Sequence, residues 1–65
     1  MFGASLMDTR EAAAKLRIHP STLARWRLEG TGPKYVRLGG RLMYRESAIE
    51  QWITAHTVTP GEDAA

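Results

Sequence analysis

Pro20-Ser21-Thr22-Leu23-Ala24-Arg25-Trp26-Arg27-Leu28-Glu29-Gly30 is the stretch that decides how this 65-residue chain folds. Proline suits the first turn of a helix, where its missing amide costs no hydrogen bond. Glycine suits the left-handed position just past a helix end. The residues between them predict a helix over 20–29. At 100° per residue, Leu23, Trp26 and the stem of Arg27 fall on one side. Ser21, Arg25 and Leu28 fall on the other, flanked by Thr22 and Ala24. The first side is expected to pack inward, and the second is left free to meet a partner.

Upstream, Asp8-Thr9-Arg10-Glu11 has the form of a capping box, with Asp8 as N-cap and Glu11 reaching back to its amide. Ala12, Ala13 and Leu16 share a face, so a helix is expected from there to near Arg17. Two helices joined by so short a turn form a helix-turn-helix, whose second helix can enter a major groove. Downstream, Thr31-Gly32-Pro33 breaks the chain, and Lys34–Leu38 and Arg41–Arg45 flank Gly39-Gly40. Two β-prone runs around a Gly-Gly pair signal a hairpin, because a type I′ turn needs positive φ at both central residues. With a two-residue loop, Tyr35, Arg37, Leu42 and Tyr44 share one face, and Val36, Leu38, Arg41 and Met43 share the other. Neither is wholly apolar, so the pattern leaves open which face is buried. Ser47-Ala48-Ile49-Glu50 reads as a second capping box, with Ser47 as N-cap. The helix after it carries Ile49, Trp52, Ile53 and His56 on one stripe. Trp26 and Trp52 are expected in the core, since so small a domain needs large apolar area. The predicted class is mostly α with a small β-hairpin, a winged helix-turn-helix: a helix-turn-helix, a two-stranded wing and a third helix. Residues 1–6 are expected to form a frayed N-terminus, residues 7–56 the domain, and residues 57–65 a disordered tail.

Charge is unevenly placed. Between Arg17 and Arg45, seven bases stand against Glu29 alone, a net +6 in 29 residues, whereas the rest of the chain carries −4. Such asymmetry is the electrostatic footprint of a nucleic-acid surface. The chain has no cysteine to form disulfides or a thiolate zinc site. His19 and His56 have no ligand partners at metal spacing, and the serines at 5, 21 and 47 have no His and acid at a catalytic spacing. Gly39-Gly40 lies between strands and opens no helix, so it is not a phosphate loop. No enzyme, cofactor or metal is therefore expected. No apolar run approaches the roughly 18 residues of a membrane span, and the first residues lack the basic and apolar regions of a secretory signal. A cytoplasmic protein, away from membranes, is the expectation.

Thr9-Arg10-Glu11-Ala12-Ala13, Pro20-Ser21-Thr22-Leu23-Ala24-Arg25-Trp26, Tyr35-Val36-Arg37-Leu38-Gly39-Gly40-Arg41 and Tyr44-Arg45-Glu46-Ser47-Ala48-Ile49 together resemble the excisionase-like branch of the MerR superfamily. The resemblance implies that helix 2 sits in the major groove of double-stranded DNA and the wing lies over a neighbouring minor groove. It places Ser21 and Arg25 at base edges and Thr22 near phosphates. Ala24 and Leu28 share that face, and Arg37 and Arg41 mark the wing. Arg presents a fork that matches guanine O6 and N7, and a narrow minor groove concentrates the negative potential that attracts an arginine. The chain departs from the pattern in three places: Arg17 stands where a Gly often ends helix 1, His19 where a Ser often caps helix 2, and Ala24 where an Arg often precedes the Arg-Trp pair. The implied function is that of a sequence-specific architectural protein of a phage or mobile element. It would bend attachment-site DNA and direct a tyrosine integrase toward excision, with further copies bound head-to-tail. A small MerR-like transcription regulator is the alternative. With so few residues after helix 3, no long dimerisation helix is expected, which favours the first reading.

Overall fold

The computed structural model describes residues 6–61. Its elements are β1 (Leu6–Asp8), α1 (Thr9–Leu16), α2 (Pro20–Glu29), β2 (Val36–Leu38), β3 (Arg41–Arg45) and α3 (Glu46–Ala55). Three helices pack with an antiparallel sheet of strand order β1-β3-β2, and the result is a winged helix-turn-helix. Residues 1–5 of the expected frayed start and residues 62–65 of the expected tail lie outside the described residues. Residues 57–61 of that tail are described and belong to no helix or strand, with the Thr57 hydroxyl donating to the Ile53 carbonyl at 2.9 Å.

Leu6 corrects the first of these boundaries. It opens a third strand, in which Leu6, Met7 and Asp8 pair with Arg45, Tyr44 and Met43. The pairing occupies the otherwise open edge of β3 and sets Met7 on the same face as Tyr44, packed against the core. Three residues are too few to show a period, so no sequence pattern announces the strand. Asp8 ends it and caps α1 in the expected way: the Glu11 amide donates to Asp8 Oδ1 at 2.7 Å, and the Asp8 amide donates to Glu11 Oε1 at 2.9 Å.

α1 stops at Arg17, which adopts φ 62° and ψ 40°. Its amide donates to the Ala14 carbonyl and that of Ile18 to the Ala13 carbonyl, so the left-handed turn satisfies carbonyls the helix leaves open. α2 ends as expected at Gly30, φ 78°.

α3 departs from expectation. It begins at Glu46 with Arg45 as N-cap and no side-chain cap hydrogen bond, so Ser47 lies inside the first turn. The reason is continuity: β3 runs straight into α3, and Arg45 still pairs with Leu6. Glu50 is engaged elsewhere. It and Glu46 hold the Lys15 ammonium at 3.0 and 3.2 Å, tying α3 to α1. Hydrogen bonding to Glu50, then to Glu46, raises the Lys15 pKa above its ordinary value. The contribution of these exposed pairs is complete below that ordinary value and fades as pH climbs through the raised one.

The core consists of Ala12, Ala13, Leu23, Tyr44 and Ile49, with Met7, Leu16, Ile18 and Trp26 packed against it. The alanines let α1 approach its neighbours closely. Both tryptophans, expected in the core, are only half-buried. They form its rim, because their rings pack on each other at 5.2 Å between α2 and α3. His56 stacks on Trp52 at 4.0 Å. Gly32, at φ 85°, lies beneath Trp26, where an added Cβ would meet the Trp26 Cβ at 3.1 Å.

The hairpin follows the two-residue register, Leu38 opposite Arg41 and Arg37 opposite Leu42, with Gly39 and Gly40 both at positive φ. The buried side is the Tyr44 side, since Tyr44 is 1% exposed. The Tyr44 hydroxyl accepts from Arg27 Nη1 at 3.0 Å, and Thr9 Oγ1 lies 3.5 Å from the same nitrogen. Arg27 also sits over the Tyr35 ring at 5.8 Å. One guanidinium thus ties α2 to the wing and to the start of α1.

Arg17→Gly should remove the left-handed penalty and stabilise the domain by about 0.5–1 kcal/mol. Thermal melting should show a rise of several degrees, and a fall would mean that the Arg17 side chain does more than tolerate its backbone. Arg27→Ala strips the partner from a buried hydroxyl and should cost about 1.5–3 kcal/mol. Arg25→Ala, two residues earlier and on the opposite, exposed side of α2, should stay within about 0.5 kcal/mol; equal melting temperatures for the two variants would refute the anchoring role.

Candidate nucleic-acid interface

α2 divides into the two sides its spacing predicts. Leu23 is buried, and Trp26 and Arg27 are half-buried against the body. Ser21 and Arg25 are exposed, and Leu28 is 87% exposed. Thr22 and Ala24 flank them, half-buried. These five residues share one helix surface about 10 Å long from Ser21 to Leu28, at 1.5 Å per residue. Arg25 is only loosely held: its Nε lies 3.8 Å from Glu29 Oε2, one turn on, and both side chains are largely in solvent. Such a pair is worth about 0.3–0.5 kcal/mol, so the guanidinium can turn to another acceptor at little cost.

His19 starts the helix. It is the N-cap, extended at φ −72° and ψ 142°, and its Nδ1 accepts the Ser21 amide at 3.1 Å. Pro20 dictates this position, because the residue before a proline is held in the extended region. His19, standing where a serine often caps this helix, does the serine's work with a ring nitrogen. The same nitrogen lies 2.8 Å from Ser21 Oγ.

The wing carries Arg37 and Arg41, both exposed. Because Arg37 faces Leu42 across the ladder and Arg41 faces Leu38, they stand on opposite faces of the hairpin. Arg37 shares the Tyr44 side, on which α2 lies; Arg41 shares the outer side with Met43 and Arg45. The two wing arginines thus straddle the hairpin and do not form one patch with each other. Leu38, beside the turn, is 50% exposed.

Electrostatics follow from which acids are engaged. Among the described residues, Asp8 and Glu11 serve the α1 cap, Glu46 and Glu50 hold Lys15, and Glu29 lies beside Arg25. Lys34, Arg37, Arg41 and Arg45 make no ion pair among the described residues. Sequence reading singled out the two wing-tip arginines but not Lys34 and Arg45. Arg45 projects from the same strand face as Arg41, two positions beyond Met43, and strand alternation could have identified it. Lys34 lies in the loop and walls the groove between that loop and α3, with Gln51 opposite.

No helix among the described residues is long and apolar enough to cross a membrane, and no three His, Asp or Glu of those residues group to hold a metal ion. No curated protein sequence matches the chain. The profile of the helix-turn-helix domain family matches residues 6–57, from the first residue of β1 to just past α3. The match spans every element of the fold, and the chain belongs to the helix-turn-helix domain family, a family of DNA-binding domains.

Proposed function

We propose that this helix-turn-helix protein is an excisionase, the directionality factor of a phage or integrative element. It binds double-stranded DNA beside an attachment site, bends it, and directs a tyrosine integrase toward excision. The observation that carries the reading is the exposed α2 face, Ser21, Arg25 and Leu28, next to a wing with an exposed arginine on each side. α2 enters the major groove, where Arg25 meets guanine and Leu28 offers an apolar surface to a thymine methyl. Thr22 and Ala24 lie toward the phosphates at the groove edge, and Arg37 and Arg41 bracket the neighbouring minor groove. Ile49 and Trp52 face into the fold, so α3 does not act as a dimerisation helix. Copies meet instead on DNA, head-to-tail on direct repeats, where adjacent sites raise their effective concentration. An unclosed head-to-tail array curves the duplex it covers.

Electrophoretic titration against attachment-site and random DNA at several salt concentrations tests the reading. Neutralising four to six phosphates gives a log–log slope of about −4 to −5. Arg37→Ala with Arg41→Ala should flatten the slope by about one for each arginine that meets a phosphate, at nearly unchanged melting temperature. A slope near zero for the wild type would rule out backbone binding.

Arg25→Ala should weaken binding to the selected site by about 1–3 kcal/mol and leave random DNA nearly unaffected. An unchanged specificity ratio would remove Arg25 from the base-reading set. A stable solution dimer on an inverted repeat would point to a transcription regulator instead.

A further inference from the structure

The start of α2 contains a hydrogen-bond arrangement that constrains what Ser21 can recognise. His19 Nδ1 lies 3.1 Å from the Ser21 amide nitrogen and 2.8 Å from Ser21 Oγ. A backbone amide can only donate, so the nitrogen that accepts it carries no proton. Toward the same nitrogen the Ser21 hydroxyl must then donate as well. Its proton is engaged within the protein, and what Ser21 presents to solvent is oxygen lone pairs.

From this we infer that Ser21 reads the exocyclic amino group of adenine or cytosine. Phosphate oxygens only accept, as do guanine O6 and N7 and thymine O4, and an oxygen with lone pairs alone repels all of them. The donors available in a major groove are adenine N6 and cytosine N4. The inference rests on the proposed major-groove placement of α2 and adds a base preference to it. Ser21 and Arg25 stand one helical turn apart, about 6 Å along the axis. With base pairs spaced at about 3.4 Å, the amino-bearing base lies one or two steps from the base that Arg25 meets. His19 acts as a positioning residue: it touches no base, yet it sets the polarity of the hydroxyl that does.

Site selection from random duplexes with wild type, Ser21→Ala, His19→Ala and His19→Asn tests this. Wild type should select A or C at one position near the Arg25 base. Ser21→Ala should accept all four bases there and keep its preferences elsewhere. His19→Ala, which frees the hydroxyl proton, should admit G or T at that position alone. His19→Asn supplies a carboxamide oxygen as acceptor and should restore A or C. A second arm uses wild type only, so that no variant need fold: replacing the selected adenine by purine, or the cytosine by 2-pyrimidinone, removes the amino group and should weaken binding about three- to tenfold. Selection of G or T by wild type, indifference to the missing amino group, or uniform weakening of all sequences by Ser21→Ala would each overturn the inference while leaving DNA binding intact. Failure of wild type to select any sequence would instead overturn the major-groove placement of α2 on which it rests.

Discussion

The contact between Arg27 and the Tyr44 hydroxyl is the constraint on which the arrangement of this domain depends. A core of five buried residues, two of them alanine, needs the area of an aromatic ring at its centre, and Tyr44 supplies it. A buried hydroxyl without a partner would cost about 1–3 kcal/mol, a large share of what so small a domain can gain by folding. Arg27 meets that need at 3.0 Å, and because it extends from α2, the solution fixes where α2 sits against the sheet. The same guanidinium lies over Tyr35 at the foot of the wing. α2 and the wing are thus positioned by one half-buried cation.

That division between an inward and an outward arginine explains how a chain of net charge +2 presents a basic surface. The described acids are engaged on the α1 and α3 side or at the end of α2, and Lys15 draws two carboxylates to itself. Among the described residues, the wing's cations have no acidic partner. Net charge would have concealed this; placement along the chain suggested it, and packing realised it.

Short elements make the domain depend on terminal chemistry. In an eight-residue and two ten-residue helices a large share of the backbone polar groups lies at the ends, so caps weigh heavily in their stability. The Asp8 box, the His19 ring and the left-handed Arg17 and Gly30 all satisfy such groups. Only Arg17 does so with a residue poorly suited to the backbone it adopts.

The sequence by itself determined what depends on near neighbours. The α1 cap, the limits of α2, its two sides and the type I′ hairpin are legible because capping, helical periodicity and paired glycines act within a few residues. The exposed α2 residues, Ser21, Arg25 and Leu28, were legible for the same reason. Tertiary structure decided the rest. β1 exists because β3 offers it an edge, and α3 starts early because a strand feeds it. The wing's buried side was settled by Tyr44 finding Arg27, seventeen positions away. The tryptophans sit at the rim because each packs on the other from separate helices, and Glu50 left its expected cap for a lysine on α1. In each case the energy lies in a contact between residues distant along the chain, and local pattern carries no record of such contacts.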